Sequence, residues 1–206
     1  MVKDPDRLLS LAYARVGVRP KLELAFLLDE ALAAILRSVR EPMIARIRLA
    51  WWREQLEALA AGTPDAPEPL LTRIGQALDP AEIGALADLP DAWMHLLEDP
   101  LGAPDVARFS TGRGGALASV FHDPALTKPL AFWSLVDFVH HCSDPALAQA
   151  VHHEAITGMP VDRRALPAVL RVLVGLAADD LRDVDGRGRQ SPGRVLRALR
   201  HALFAC

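Results

Sequence analysis

The chain of 206 residues lacks most of the features that define specialised protein classes. Its two cysteines, Cys142 and Cys206, allow neither a disulfide framework nor a cysteine-based zinc motif. The longest apolar runs, Leu24–Leu28 and Val172–Ala178, are too short to cross a bilayer, and the polar N-terminus is unlike a signal peptide. The net charge of −3 gives no indication of a nucleic-acid partner. A soluble cytoplasmic protein is therefore expected.

Strand patterns are also missing, because β-branched residues are few and no segment alternates with a period of two. The sequence instead contains many apolar segments of helical period, joined by turns with proline or glycine. This pattern predicts an all-α fold, a single-domain helical bundle over residues 1–206. Helices are predicted over Arg7–Ala14, Lys21–Val39, Glu41–Leu59, Leu70–Leu78, Pro80–Leu86, Asp91–Leu97, Ala116–Phe121, Lys128–Cys142, Pro145–Thr157 and Val161–Leu181, with a last helix capped by Ser191-Pro192. The glycine-rich residues 110–115 are predicted to be flexible.

The segment Glu41–Leu59 is the most informative one, because its apolar residues cover more than half of the helix circumference. Arg48 and Gln55 lie in the middle of this apolar arc, where polar side chains must find buried partners or line a cavity. Asp29 interrupts the apolar stripe of the preceding helix in the same way. A structural pair of Arg48 with a carboxylate such as Asp29 is favoured, and a cavity for an anionic or prenyl-like ligand is the alternative.

The same region carries a family resemblance. Glu41-Pro42-Met43 is followed by Ile-Arg-Leu-Ala-Trp-Trp at residues 47–52, and the run from residue 24 to 59 resembles the N-terminal part of the squalene/phytoene synthase family, the head-to-head prenyl transferases. The resemblance implies the isoprenoid synthase type of helical bundle, with a central cavity that holds two prenyl diphosphates and magnesium in active relatives. Trp51 and Trp52 are interpreted as core packing rather than as a ligand platform.

Catalysis in that family depends on two Asp-rich motifs, because Mg²⁺ on a diphosphate needs several carboxylate ligands. The resemblance places the first motif near positions 33, 34 and 37, where this chain has Ala33, Ala34 and Arg37. It places the second motif within residues 137–144, where two histidines replace the expected Arg-Asp. Asp29 and Asp137 remain as cavity carboxylates. No catalytic residue and no metal site is therefore predicted, and Mg²⁺ is expected only if the chain is an active synthase.

The predicted ligand-binding residues are Asp29, Arg48, Trp52, Gln55 and Asp137. The favoured function is that of a catalytically silent squalene/phytoene synthase-like protein, which binds an isoprenoid or lipid-like ligand or acts in assembly with a protein partner. The family supports an assembly role because it includes non-catalytic members related to a respiratory-complex assembly factor. An active prenyl transferase and a plain helical interaction protein are the alternatives.

The C-terminal segment has a different character. Residues 182–206 contain six arginines and two aspartates, a formal excess of four positive charges. The last helix is predicted to carry basic residues on one side and apolar residues on the other: Arg194, Arg197, Arg200 and His201, against Val195, Leu196, Leu199 and Leu203. The apolar side is expected to close the bundle, with solvated arginines. The alternative is a peripheral contact with an anionic membrane surface or partner.

Three smaller patterns receive ordinary structural interpretations. Asp179-Asp180-Leu181-Arg182-Asp183 has a D-D-x-x-D form but lies far from where the family has such motifs. A solvated helix end is therefore expected, and a displaced metal site is the alternative. The pairs His140-His141 and His152-His153 are interpreted as surface or hydrogen-bonded histidines, because adjacent residues of a helix point about 100° apart. Cys142 is interpreted as a buried thiol.

Overall fold

The computed structural model describes residues 2–62, 68–159, 162–182 and 193–204, which form helices and no strand. The helices are α1 (Pro5–Leu11), α2 (Arg19–Ser38), α3 (Pro42–Ala60), α4 (Pro69–Ala77), α5 (Pro80–Leu86), α6 (Asp88–Met94), α7 (Ala103–Ser119), α8 (Thr127–His141), α9 (Pro145–Thr157), α10 (Ala168–Arg182) and α11 (Arg194–Phe204), with short 3-10 turns at His95–Leu97 and Pro124–Leu126. The predicted all-α class is confirmed. The isoprenoid synthase type of bundle stays a prediction.

Local capping explains why many helix starts were predictable. The Asp4 carboxylate accepts hydrogen bonds from the backbone N–H groups of Asp6 and Arg7, both at 3.0 Å, at the start of α1. Asp79 and Glu82 form a reciprocal capping box at the start of α5. Proline occupies the first turn of both helices, where its missing N–H costs no helical hydrogen bond.

The glycine-rich residues 110–115 are helical, which corrects the prediction of a flexible segment. They lie inside α7, and the buried positions Val106, Phe109, Arg113 and Leu117 continue through them at helical spacing. A side chain at Gly114 would place its Cβ 2.7 Å from two backbone atoms at the start of α8. The glycine thus permits close contact between α7 and α8, which stabilises the helix against the low helical propensity of the segment.

Helix α10 is shorter than predicted. It begins at Ala168 rather than at Val161, directly after Pro167, and residues 162–167 are not helical. The residue before a proline is disfavoured in the α conformation, which explains why the helix does not extend further toward the N-terminus. The predicted Ser191-Pro192 cap lies outside the described residues.

Helix α3 buries a narrower face than its sequence predicts. Ala45, Leu49, Trp52 and Leu56 are buried at spacings of three and four residues, as expected for a single stripe. Four other apolar residues point outward, with exposed fractions of 65% for Met43, 41% for Ile44, 61% for Ile47 and 37% for Trp51. The exposure of Trp51 corrects its interpretation as core packing. The wide apolar arc is therefore half core and half surface.

The described residues form one large apolar cluster that extends from Val2 to Leu181. Helix α7 packs against α6 and α8, α8 packs against α10, and α1 and α2 contact each other. A second, small cluster of Val172, Leu176, Ala198 and Ala202 joins α11 to α10. No helix in the described part of the chain has the length and apolarity needed to span a membrane.

Candidate functional site

Asp29 lies in the middle of α2 and is fully buried. Its Oδ1 accepts a hydrogen bond from Trp93 Nε1 at 2.8 Å and one from Arg113 Nε at 3.0 Å. Its Oδ2 accepts a hydrogen bond from Arg113 Nη2 at 2.6 Å and lies 2.9 Å from Arg7 Nη1. The carboxylate on α2 is therefore held by side chains from α1, α6 and α7.

Arg113 connects this carboxylate to a second one on α8. Its Nη1 donates hydrogen bonds to Asp137 Oδ2 at 2.9 Å and to Ser134 Oγ at 3.2 Å, while its other nitrogens bind Asp29. Arg113 is fully buried, and the Asp137 side chain is 13% exposed. One guanidinium thus bridges the two aspartates that the sequence analysis selected as cavity carboxylates.

Arg7 from α1 supplies a second positive charge. Besides its contact with Asp29, its Nη2 lies 3.8 Å from Asp137 Oδ2. Its Nε is buried and has no hydrogen-bond partner among the described residues. Two arginines and two aspartates form this central network, defined as Arg7, Asp29, Arg113 and Asp137, so its formal charge is zero.

Aromatic rings enclose the central network. The Arg113 guanidinium carbon lies 4.3 Å from the ring centroid of Trp133, 5.3 Å from that of Trp93 and 5.4 Å from that of Phe109. The Arg7 guanidinium carbon lies 5.2 Å from the Trp133 ring centroid. These distances are in the range of cation–π attraction, which helps to stabilise a buried cation.

The ionised forms of both aspartates are stabilised. Burial alone would raise the pKa of Asp29, but the charges of Arg113 and Arg7 and hydrogen bonds from Arg113 and Trp93 lower it below its ordinary value. Burial would also raise the pKa of Asp137, but the charges of Arg113, Arg7 and His141 lower it to about 2. The carboxylates therefore stay ionised at neutral pH as partners of the arginines.

A cavity of about 780 Å³ adjoins the central network, within the size range of roughly 300–1,000 Å³ that is typical of small-molecule sites. Arg7, Arg113 and Asp137 lie in its wall, and Asp29 lies directly behind them. Most other wall residues are apolar: Leu27, Ala31, Ala33, Ala34, Leu36, Trp93, Leu96, Phe109 and Phe138. The arrangement suits a ligand with a substantial apolar part.

The outer part of the cavity is charged and reaches the surface through the exposed residues Lys3, Arg37 and His141. The carboxylate of Glu30 accepts the backbone N–H of Lys3 at 2.9 Å, and that of Asp4 caps α1. Both carboxylates are thus engaged by backbone donors. The charged ends of Lys3 and Arg37, in contrast, have no ion-pair partner in the described ranges.

The five predicted ligand-binding residues lie in different places. Asp29 and Asp137 are brought together at the cavity. Arg48 is exposed on α3 and Gln55 is half-buried there, and neither lines the cavity, which corrects their expected interior position. The expected pair of Arg48 with Asp29 is also wrong, because Arg113 and Arg7 hold Asp29. Trp52 is 9% exposed and belongs to the apolar core.

Sequence analysis missed the two arginines that organise the site. Arg113 lies in the glycine-rich segment that was predicted to be flexible, and Arg7 lies in the first turn of the short helix α1. One signal for Arg113 was available, because it continues the helical spacing of Val106 and Phe109 toward Leu117. Nothing local indicates that its partners are Asp29 and Asp137, which are remote in sequence.

The other acidic and histidine patterns have partners of their own. Asp180 and Asp179 are not a solvated helix end: Asp180 is 8% exposed and lies 2.6 Å from Arg194 Nη1, and Asp179 Oδ2 lies 2.8 Å from His201 Nε2. Asp183 lies outside the described residues. His152 Nε2 lies 3.1 Å from the carbonyl oxygen of Leu181. Cys142 was expected to be a buried thiol, but the residue is only half-buried.

Possible metal ligands converge at one place in the described ranges, and it is not the cavity. Donor atoms of Asp79, Glu82 and His122 lie within 4.8 Å of one another. However, Lys21 Nζ donates hydrogen bonds to both Glu82 oxygens at 2.6 and 2.8 Å, and the Asp79 and Glu82 carboxylates cap α5. The charge of Glu82 is therefore already compensated without an ion.

Comparison of the chain with models of protein families, with curated proteins and with solved structures finds no significant match to any of them.

Proposed function

We propose that this chain is a non-catalytic protein of the squalene/phytoene synthase type, which binds an isoprenoid or lipid-like ligand in its central cavity. The observation that carries the proposal is the bridge between Asp29 and Asp137: a buried guanidinium, that of Arg113, joins the two carboxylates beside the cavity. The proposal combines this bridge with the resemblance of residues 24–59 to that family.

The bridge argues against metal-dependent transfer of a prenyl group. Ionisation of a diphosphate needs Mg²⁺ held by carboxylate oxygens that are free to coordinate it. Here both carboxylates already neutralise Arg113 and Arg7 inside the protein. Coordination of Mg²⁺ by Asp29 would leave a buried arginine without its counter-charge, at a cost of several kcal/mol.

The cavity wall supports the binding part of the proposal. Ala33, Ala34 and Arg37 lie at the positions where the resemblance places the first Asp-rich motif, and all three line the cavity. Two small apolar side chains there leave room for a hydrocarbon chain instead of providing metal ligands. The remaining wall contributes mostly aliphatic and aromatic surface, which favours an apolar chain by the hydrophobic effect.

The charged mouth indicates which end of the ligand lies outward. Arg37 and Lys3 are exposed there, whereas the carboxylates of Glu30 and Asp4 bind backbone N–H groups. A carboxylate or phosphate head group would be attracted directly to the guanidinium and ammonium groups, without a metal ion. The proposed ligand is therefore an amphiphile with one apolar chain and an anionic head.

Calorimetric titration with farnesyl diphosphate and with palmitate, each in Mg²⁺ and in EDTA, tests the proposal. Binding of at least one probe is expected in both buffers. Ala34→Trp should weaken binding roughly tenfold or more, because the indole ring would occupy space in the cavity. A tenfold change in affinity corresponds to about 1.4 kcal/mol. Ala150→Trp, at an exposed position of α9 away from the cavity, should bind as the wild type does.

A charge-reversal pair tests the head-group assignment in the same titration. Arg37→Glu should weaken binding of both anionic probes, whereas Arg48→Glu, on the exposed face of α3, should not. Release of pyrophosphate from farnesyl diphosphate in Mg²⁺ would overturn the non-catalytic assignment. Failure of both probes to bind would overturn the binding assignment and favour a plain helical interaction protein.

A further inference from the structure

Helix α11 is attached to the rest of the protein by its polar side. Arg194 is 6% exposed, and its guanidinium forms ion pairs with Asp180, at 2.6 Å, and with Asp6. About two turns later, His201 is 2% exposed, with its Nε2 2.8 Å from Asp179 Oδ2. The expected arrangement, an apolar side facing the bundle and solvated basic residues, is therefore wrong for these two side chains.

Close packing fixes α11 in this orientation. A side chain at Gly175 of α10 would place its Cβ 2.4 Å from the His201 ring, so the glycine is what admits this ring. On the same side of α11 as Arg194 and His201, Ala198 and Ala202 complete the small cluster with α10. Arg171 of α10 also donates a hydrogen bond to the carbonyl oxygen of Ala202 at 2.8 Å. Rotation of the helix would break all of these contacts together.

The consequence is an exposed apolar stripe on the opposite side of α11. Its four members are Val195, which is 59% exposed, Leu196 (71%), Leu199 (42%) and Leu203 (64%). At 100° per residue they lie within one 100° sector, next to the exposed Arg200. Contiguous apolar surface of this kind on a helix with a basic border indicates an interaction site.

We propose that this stripe lies on the surface of a membrane that contains anionic lipids, with α11 parallel to the bilayer plane. Charge favours lipid over a second copy of the chain as the occupant. Residues 182–206 hold six arginines and two aspartates in a chain of net charge −3. Asp6, Asp179 and Asp180 pair with these arginines, so the local formal excess falls from four positive charges to one, with the Arg200 side chain 53% exposed. Arg200 borders the stripe, so symmetric pairing of two α11 helices would bring like charges together, whereas an anionic lipid surface attracts them.

Vesicle flotation of the full chain tests this proposal. We expect binding to vesicles made of equal parts of phosphatidylcholine and phosphatidylglycerol, little binding to phosphatidylcholine alone, and weaker binding as salt is raised. Leu196→Glu should lower the partition coefficient roughly tenfold or more, because a leucine that enters the lipid is replaced by a charge. Ile47→Glu is the matched control, since Ile47 is an aliphatic residue on α3 that is 61% exposed, against 71% for Leu196.

Both substitutions replace exposed side chains, and far-UV circular dichroism should show the same helicity and melting for the two variants. Equal vesicle binding by Leu196→Glu and Ile47→Glu would overturn the proposal. So would an absence of binding to the anionic vesicles. A concentration-dependent dimer that Leu196→Glu dissociates would assign the stripe to a second copy of the chain and would also overturn the lipid assignment.

Discussion

Two arginines of this protein each bind two aspartates, and the difference between their surroundings is instructive. Arg113 binds Asp29 and Asp137 among aromatic rings in the centre of the bundle. Arg194 binds Asp180 and Asp6 at the junction of α1, α10 and α11. The two groups of ion pairs are chemically alike, but those of Arg113 lie beside a cavity, whereas those of Arg194 attach a peripheral helix.

This comparison shows that one kind of ion pair has two structural consequences. In the centre, the ion pairs of Arg113 lie in the wall of the cavity, together with apolar and aromatic side chains. At the periphery, the pair determines which side of α11 faces the bundle, so that the apolar side faces outward. The proposed ligand cavity and the proposed lipid-contacting stripe therefore each lie next to a buried arginine, Arg113 and Arg194.

The largest expected effect is at the central arginine. Arg113→Met leaves Asp29 and Asp137 with only Arg7 as a charged partner from the network, and should lower the free energy of unfolding by about 3–5 kcal/mol. Urea denaturation measures this change. The control is Arg48→Met at an exposed position, and equal losses in the two variants would contradict the assigned role of Arg113.

A compensated variant sharpens the same test. Replacing all four charges of the central network by apolar residues of similar size, in Arg7→Met/Asp29→Leu/Arg113→Met/Asp137→Leu, should restore much of the stability lost in Arg113→Met, because no unpaired buried charge remains. It should also change ligand binding, since the polar end of the cavity wall is lost. If stability recovers and ligand binding does not change, the four residues of the central network take no part in ligand binding.

A smaller and more local effect is expected at the peripheral arginine. Arg194→Met removes the charged hydrogen bonds to Asp180 and Asp6. Because α11 can detach without unfolding of the bundle, the cost should fall mainly on α11. Hydrogen exchange should therefore accelerate in α11 while α7 and α8 stay protected. Arg200→Met is the matched control, because the Arg200 side chain is 53% exposed and its ion pair with Asp179 is 3.3 Å long. Uniform acceleration across the bundle would contradict a peripheral role.

The same two regions mark how far the sequence predicts the structure. Helix class and most helix starts follow from local chemistry, as in the Asp4 and Asp79 caps. Only the end of helix α7, from Ala116, was predicted, and the glycine-rich residues 110–115 have low helical propensity. The packing that compensates for this propensity, at Gly114, depends on another helix. Propensity is a local quantity, and this contact is not.

The candidate site was predictable only in part, for a related reason. Asp29 attracted notice because a carboxylate in an apolar stripe needs a partner. The identity of that partner could not be deduced, since Arg113 lies 84 residues away and Arg48 has the same charge nearby. On α11 the amphipathic pattern was correctly recognised, but a pattern does not tell which side faces the core. Burial of the basic side depends on Asp6, Asp179 and Asp180, which belong to α1 and α10.

The smallest expected effect concerns pH and distinguishes the two networks by their carboxylates. The pKa of Asp137 in the folded protein, about 2, lies below its value of 3.8 in an unfolded chain. The stabilisation from its ionised form is therefore complete above about pH 4 and is lost as the pH falls toward 2. This difference corresponds to about 2 kcal/mol, since one pKa unit is about 1.4 kcal/mol.

Urea denaturation from about pH 5, roughly one unit above the pKa in the unfolded chain, down to about pH 2, the pKa in the folded protein, checks this expectation. Asp137→Asn should flatten the decline of the unfolding free energy with falling pH. The pKa of Asp179 is also lowered, against the effect of burial, by a hydrogen bond from His201 and by the charges of His201, Arg200 and Arg197. Since the Arg200 side chain is 53% exposed and solvent screens its charge, Asp179→Asn should flatten the decline less. The reverse order would show that the peripheral network, rather than the central one, dominates acid stability.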